Sequence, residues 1–190
     1  MRPDRLDADR AMVLVIDVQE KLMPSIAEGE RVTRSTVKLL RAASVFRLPA
    51  LATEQYPKGL GATVGPVREA LAEVDAPIVE KPTFSACGFD PLRQALREID
   101  RAQVLTAGVE AHVCVQQTVL DLLAMDYDVF LCADAVGSRS PLDWQLALDR
   151  MRQAGAFITS VESAMFELCE RCDTPRFKRM LDVVKAFPPT

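Results

Sequence analysis

The segment Met12–Val18, Met-Val-Leu-Val-Ile-Asp-Val, decides the fold class of this chain. Almost every position is apolar instead of every second one, and a strand with this pattern is buried on both faces, as in a parallel sheet that helices cover. Similar short runs alternate with longer amphipathic stretches, which is typical of α/β proteins. The sequence therefore predicts a three-layer α/β/α doubly wound sandwich around a six-stranded parallel sheet.

The predicted elements follow this alternation along the whole chain. With 190 residues, 49% of them hydrophobic, the chain is long enough for one substantial core and short for two, so residues 1–190 are expected to form a single domain. Strands are expected near Met12–Val18, Ala50–Thr53, Pro77–Glu80, Gln103–Ala107, Val129–Ala133 and Ala156–Thr159. Helices are expected near Arg31–Phe46, Gly65–Val74, Pro91–Ile99, His112–Met125, Pro141–Ala154, Ser163–Cys169 and Pro175–Ala186.

Charge and hydropathy exclude two classes of partner. The net charge is -4, with acidic and basic residues interleaved, so no positive stripe is available to bind a nucleic acid. The longest apolar runs, such as Ala11–Ile16, are far shorter than the roughly 20 residues that span a bilayer. Residues Met1–Arg10 lack the apolar stretch of a secretory signal. We expect a cytoplasmic protein that acts on a small molecule.

Five cysteines, an odd number, occur in a chain large enough to fold without disulfides. This favours reduced thiols, of which one is a candidate nucleophile. Cys169 and Cys172 have the spacing of a redox pair, but they follow the last predicted strand, and local structure is the better interpretation.

Polar residues at the carboxyl ends of the predicted strands are few, and ligands of doubly wound sheets bind at that edge. Asp17 closes the first strand, Lys81 follows the third and Cys114 lies just after the fourth. Taken singly, each has an ordinary explanation, since an aspartate often caps a loop, a lysine is usually solvated and a helix cysteine is usually inert. Together they bring an acid, a base and a thiol to one edge.

The chemistry of these three groups is mutually consistent. A thiol with a pKa of about 8.5 is a poor nucleophile at neutral pH until its thiolate is stabilised, as a lysine ammonium and a helix N-terminus both do. An aspartate within reach takes the thiol proton and later returns it to a leaving amine. Gly108 gives the turn backbone freedom, and the amides that enter the following helix face a developing oxyanion. These are the parts of a cysteine amidohydrolase.

Three segments resemble the signatures of the isochorismatase-like hydrolases, in matching order and spacing. They are Ile16-Asp17-Val18-Gln19, Glu80-Lys81-Pro82-Thr83-Phe84-Ser85-Ala86 and Gly108-Val109-Glu110-Ala111-His112-Val113-Cys114-Val115. The resemblance runs through most of the chain, including the later Asp134-Ala135-Val136.

The resemblance implies specific roles. Asp17, Lys81 and Cys114 match the catalytic triad of the family. The peptide bond between Val109 and Glu110 matches one that is typically cis although it lacks proline. In relatives this bond directs the amides matching Glu110 and Cys114 at the oxyanion.

Two departures narrow the implied activity. Isochorismatases proper, which cleave a vinyl ether, usually lack a cysteine at the position of Cys114, so its presence favours the branch that attacks a carbon–nitrogen bond through a thioester. Nicotinamidases carry an aspartate and histidine metal site after the second strand, whereas residues 53–59 contain no histidine, and we expect neither a metal nor a cofactor. The run Glu54–Gly61 is similar to the isochorismatase domain-containing subgroup, for which the resemblance supplies no substrate.

Gln19, Tyr56 and Phe84 each follow a predicted strand end, and they are candidates for the wall of a substrate pocket or, equally, for ordinary loop packing. His112, the only histidine, invites a Cys–His dyad with Cys114. Side chains two residues apart on a helix point in nearly opposite directions, so a turn residue is the better interpretation.

Alternative functions remain open at this level. One alternative to a hydrolase is a non-enzymatic oligomeric scaffold with the same fold. The other is an oxidant-responsive thiol protein, with Cys87 as the candidate resolving cysteine. Relatives are commonly dimers or larger assemblies, so a homo-oligomer is expected. An apolar C-terminal region offers either an interface or internal packing and contains Phe166, Phe177 and Phe187.

Overall fold

A computed structural model describes residues 5–188 of the chain, so the first four residues of the Met1–Arg10 segment lie outside the described residues. All pairings within its sheet are parallel, in the order β3-β2-β1-β4-β5-β6. This confirms the predicted doubly wound, six-stranded parallel sheet. The strands are β1 (Ala11–Ile16), β2 (Ala50–Gln55), β3 (Ile78–Lys81), β4 (Gln103–Val109), β5 (Asp128–Gly137) and β6 (Phe157–Thr159).

Helices cover both faces of the sheet. The helices are α1 (Gly29–Phe46), α2 (Pro57–Leu60), α3 (Gly65–Ala72), α4 (Asp90–Ile99), α5 (Gln116–Ala124), α6 (Pro141–Gln153), α7 (Val161–Cys169) and α8 (Pro175–Ala186). One apolar cluster joins the sheet to α1, α3, α7 and α8, and the other joins it to α4, α5 and α6. Short 3₁₀ turns occupy Met23–Ser25 and Ala86–Gly88, and a π-helical turn, Ala111–Val115, precedes α5.

Strand β1 shows why its sequence is apolar at successive positions. Every one of its residues is buried. Val13 and Val15 pack in the cluster that contains α1, while Leu14 and Ile16 pack in the cluster on the opposite face. Because β1 lies in the middle of the sheet with a helical layer on each side, neither face tolerates an alternating polar residue.

Several strand boundaries differ from the prediction. β1 ends at Ile16 and not at Val18, because Asp17 adopts a left-handed conformation (φ 52°) that interrupts the extended backbone. β5 continues to Gly137 instead of stopping at Ala133, since its last residues resume pairing with β4 after a shift in register. The sequence prediction also missed α2, which begins at a proline.

Gly108 allows β1 and β4 to approach closely where they lead into the predicted site. Its φ is +133°, and a Cβ atom placed there would lie 2.0 Å from the carbonyl oxygen of Ile16. No side chain fits that space, and the conformation itself strains any residue except glycine. The chain segments that follow Ile16 and Val109 therefore leave the sheet side by side.

The remaining sequence predictions concern the cysteines, the C-terminal aromatic residues and membrane-spanning segments. All five cysteines are free, and the Cys169 thiol donates to the carbonyl of Arg171 at 3.4 Å, a local contact as interpreted from the sequence. Phe177 packs on the core, and the ring of Phe187 lies 5.7 Å from the guanidinium carbon of Arg34. Within residues 5–188, no helix is both long enough and apolar enough to cross a membrane.

Candidate active site

Asp17 lies at the carboxyl edge of the sheet, immediately after β1. Its left-handed backbone turns the carboxylate away from the strand direction. Oδ1 accepts a hydrogen bond from Thr53 Oγ1 (2.7 Å), and Oδ2 accepts one from Lys81 Nζ (2.7 Å). The carboxylate is thus held on one oxygen by a residue of β2 and on the other by a residue of β3.

The Lys81 ammonium is surrounded by oxygen atoms. Neither its side chain nor that of Asp17 has any exposed surface. Nζ donates to Asp17 Oδ2 (2.7 Å), Gln55 Oε1 (2.8 Å) and the carbonyls of Thr83 (3.0 Å) and Phe84 (3.2 Å). An ammonium has three protons, so four acceptors saturate it. Lys81 is therefore a fixed cation that also ties the loop after β3 to the site.

Cys114 lies in the π-helical turn between β4 and α5, and 7% of its surface is exposed. Its Sγ donates a long hydrogen bond to Gln55 Oε1 (3.8 Å). Burial and the nearby Asp17 carboxylate raise the pKa of this thiol to about 12, against the opposing effect of Lys81. The structure thus differs from the expected thiolate-stabilising site, because desolvation and an adjacent anion outweigh the cation.

The structure brings Asp17, Lys81 and Cys114 together, as the sequence predicts for three strand ends at one edge. It adds Gln55, the last residue of β2, which contacts both Lys81 and Cys114. The sequence prediction ended this strand at Thr53 and therefore overlooked Gln55. It also gave no role to Thr53, which donates a hydrogen bond to Asp17. Extending the strand by two residues would have placed Gln55 at the same edge as the other three.

The backbone that precedes Cys114 has the geometry implied by the family resemblance. The peptide bond between Val109 and Glu110 is cis, as expected. The carbonyl of Glu110 accepts hydrogen bonds from the amides of Val113 (3.0 Å) and Val115 (3.2 Å), which flank Cys114 in the chain. These bonds fix the turn that presents the thiol.

A second ion pair lies at this edge of the sheet. Glu110 binds Arg139 through its side chain, with Nη2 at 2.5 Å, and through the Arg139 backbone amide at 3.0 Å. These hydrogen bonds hold the pKa of the Glu110 carboxyl below its usual range. The pair joins the turn after β4 to the loop after β5.

The three candidates for substrate contact occupy different environments. Gln19 is fully buried, and its amide bonds the backbone of Gln55 and the carbonyl of Gly61. Tyr56 and Phe84 are 62% and 58% exposed. The Tyr56 amide donates to the carbonyl of Lys81, whose ammonium in turn binds the carbonyl of Phe84. The backbone of each aromatic residue is therefore hydrogen-bonded to Lys81, while its side chain is exposed.

The remaining sequence candidates have other partners. His112 Nδ1 lies 3.0 Å from Ser138 Oγ, which agrees with the interpretation as a turn residue. Cys87 is buried, and desolvation raises the pKa of its thiol to about 12. Across the described residues, no three His, Cys, Asp or Glu side chains are grouped to hold a metal ion. Glu54 instead accepts hydrogen bonds from the amide and hydroxyl of Thr63.

The chain resembles proteins of one family. The sequence profile of the Isochorismatase domain matches residues 11–163. The secreted isochorismatase effector Isc1 of Phytophthora sojae is 37% identical over 186 residues, which cover 97% of this chain and 89% of that protein. The chain spans 60% of the length of the related isochorismatase domain-containing protein 1 of Salmo salar.

Solved structures agree with this relationship. The MAR1 ribonuclease of Caenorhabditis elegans superimposes with a TM-score of 0.91 at 37% identity, covering 98% of this chain and 95% of that one. The YcaC gene product of Escherichia coli, described as an octameric hydrolase of unknown specificity, gives a TM-score of 0.93 at 26% identity, covering 100% and 94% of the two chains.

Proposed function

Because the chain belongs to the isochorismatase family, we propose that it is a hydrolase in which Cys114 attacks the carbonyl of a small amide or ureido compound and forms a thioester. One observation carries this proposal. The Cys114 thiol, the Asp17 carboxylate and the Lys81 ammonium form a continuous cluster with Gln55 at the edge of the sheet where doubly wound proteins bind ligands.

In the first half-reaction, Asp17 acts as the general base. It takes the thiol proton of Cys114 as the sulfur bonds to the substrate carbonyl carbon, because the buried thiol is protonated at rest. The amides of Glu110 and Cys114 bind the oxyanion. Asp17 then gives the proton to the leaving nitrogen as the carbon–nitrogen bond breaks, and an amine or ammonia departs.

In the second half-reaction, a water molecule attacks the thioester. Asp17 accepts one proton of the water, the carbon–sulfur bond breaks, and Cys114 recovers its proton. Lys81 keeps the carboxylate oriented throughout, since its own protons are engaged with fixed oxygens. The acyl group leaves as a carboxylic or carbamic acid.

Tyr56 and Phe84 form the walls of the proposed substrate site. Both are exposed and are anchored beside Lys81, so their rings are available to pack against an organic substituent. Gln19 acts instead as a positioning residue, because its buried amide is committed to the backbone of Gln55. No metal or cofactor takes part in this mechanism.

RNA cleavage is a second candidate, because a relative with 37% identity is called a ribonuclease. The net charge of -4 does not favour binding to a phosphate backbone. We therefore rank it below amide hydrolysis. A scaffold role would give no catalytic use to the buried cluster of Asp17, Lys81 and Cys114.

The wider setting is proposed on the same basis. The chain acts as a single domain and assembles as a homo-oligomer, which the octameric description of the YcaC protein supports. A cytoplasmic location remains our proposal, although the Phytophthora relative is called secreted.

The mechanism is tested with p-nitrophenyl acetate, an activated acyl donor, followed by a panel of small amides and ureido compounds. Acid-quenched protein is expected to carry an acyl group on Cys114, detected by peptide mass spectrometry. Cys114→Ala should lose both the acyl-enzyme and turnover, whereas Cys172→Ala, which changes an exposed thiol, should retain both. Equal hydrolysis of any substrate, RNA included, by Cys114→Ala would refute the thioester mechanism.

A further inference from the structure

We propose that Gln55 is a latch that keeps the Cys114 thiol protonated and unreactive until a substrate is bound. This inference rests on the proposed function only in taking Cys114 as the reactive group. Its basis is geometric: a single atom, Gln55 Oε1, accepts hydrogen bonds from both Lys81 Nζ (2.8 Å) and Cys114 Sγ (3.8 Å).

The orientation of the Gln55 amide is fixed by its neighbours. Nε2 donates to the carbonyl of Pro82 at 3.1 Å, while Oε1 faces the Lys81 ammonium. A flipped amide would set its NH₂ group against the ammonium and its oxygen against the Pro82 carbonyl. The side chain therefore presents only an acceptor to Cys114.

The backbone of Gln55 is equally constrained. Its N–H donates to Gln19 Oε1 (2.8 Å), and its carbonyl accepts from Gln19 Nε2 (3.1 Å). The same Nε2 also donates to the carbonyl of Gly61 (2.6 Å). Gln19 has no exposed surface. Its buried amide therefore binds both polar atoms of the Gln55 backbone and fixes the position from which the Gln55 side chain extends.

An acceptor in this position distinguishes the two forms of the sulfur. Oε1 binds the neutral S–H group but would place a lone pair against a thiolate, and a hydrogen bond to the neutral form disfavours ionisation. The charged groups that act on the thiol are Asp17, from the end of β1, and Lys81, from β3. The Lys81 ammonium already donates to Asp17, Gln55 and two carbonyls. These oxygens compensate much of its charge, so it stabilises a thiolate at Cys114 less.

The latch has a chemical consequence in the absence of substrate. A thiolate is the form that oxidants and alkylating agents attack. A site that holds the thiol neutral therefore resists adventitious oxidation and releases the nucleophile only through proton transfer to Asp17. This distinguishes the protein from an oxidant-sensing thiol, for which a resting thiolate would be required.

The test is the pH dependence of iodoacetamide alkylation at Cys114, followed by peptide mass spectrometry in the parent and three variants. Gln55→Met removes the acceptor and should lower the alkylation midpoint by about one pH unit, which corresponds to roughly tenfold faster alkylation below it. Gln55→Glu, of nearly the same shape, places a carboxylate beside the sulfur and should raise the midpoint. Gln94→Met makes the matched change on the exposed side of α4 and should leave it unchanged.

Opposite shifts in Gln55→Met and Gln55→Glu would establish the latch. Unchanged midpoints, or shifts in the same direction, would overturn it and reduce Gln55 to a structural role, which thermal denaturation of the same variants would register separately. Because no substrate is used, the latch stands or falls independently of the hydrolytic proposal. Opposite midpoint shifts in a protein that forms no acyl-enzyme would refute only the proposed function.

Discussion

Two acid–base pairs lie at the carboxyl edge of the same sheet, and they differ in their access to water. The side chains of Asp17 and Lys81 are both 0% exposed, whereas Glu110, at 6%, is paired with an Arg139 side chain that is 65% exposed. The Asp17–Lys81 pair is enclosed by strand ends and lies beside the Cys114 thiol. The Glu110–Arg139 pair joins two loops at the protein surface. The buried pair is therefore suited to proton transfer, and the partly exposed pair is suited to positioning the turn that carries Cys114.

The enclosure of Asp17 and Lys81 has an energetic consequence. Removing two charges from water is costly, and their attraction offsets the cost only while both partners and their hydrogen bonds are present. Such a pair contributes little to net stability, yet the loss of one member leaves an uncompensated buried charge. We therefore expect its two residues to be individually indispensable.

The largest effect should come from Lys81→Met. This variant leaves the Asp17 carboxylate buried without its cation and should lower the free energy of unfolding by about 3–5 kcal/mol, with complete loss of acyl transfer. Chemical denaturation monitored by circular dichroism measures the first effect, and the acyl-enzyme assay measures the second.

The matched control is the double variant Asp17→Asn with Lys81→Met, which removes both charges. It should recover most of the lost stability without recovering activity. If the double variant were no more stable than Lys81→Met alone, an unpaired charge would not be the cause of the destabilisation.

A smaller, pH-dependent effect is expected for Arg139→Gln. Hydrogen bonds from Arg139 lower the pKa of Glu110 in the folded protein, so the stabilisation is fully present above the ordinary carboxyl pKa of about 4.3. It is lost as the pH falls through the lowered folded-state pKa. The melting temperature of Arg139→Gln should therefore lie below that of the parent at pH 7, and the two should converge as the pH falls through this lowered pKa.

Arg152→Gln provides the control for that experiment and the smallest expected effect. Arg152 pairs with Asp149 on the exposed surface of α6, where ion pairs contribute less than about 1 kcal/mol. Its melting curve should match the parent at every pH. A pH-independent difference between Arg139→Gln and the parent would show that packing, and not the charge on Glu110, produces the loss.

How far the sequence could predict this arrangement depends on the range of each interaction. The apolar run of β1 predicted burial on both faces, and the strand-end rule placed Asp17, Lys81 and Cys114 at one edge, because both depend on periodicity alone. The cis bond before Glu110 was available only from the family resemblance, since no local pattern favours such a bond.

The missing parts depend on contacts between distant segments. Gln55 was overlooked because its strand is two residues longer than predicted, and an amide gains a role here only from its distance to Lys81 and Cys114. Gln19 was expected either to line a substrate pocket or to pack within a loop, whereas its buried amide binds the backbone of Gln55. The sequence predicted a stabilised thiolate, whereas the pKa of the Cys114 thiol is raised. The main cause is burial, which depends on the whole fold and not on a local pattern.

The most direct measurement is the alkylation midpoint of Cys114 in Asp17→Asn compared with the parent. If Asp17 is a general base beside a neutral thiol, the substitution removes an anion that raises the thiol pKa. The midpoint should then fall while acyl transfer is lost, so that the sulfur becomes more reactive and the enzyme less active. A midpoint that rises in Asp17→Asn would contradict the account, because it would show that Asp17 stabilises a thiolate already present at rest.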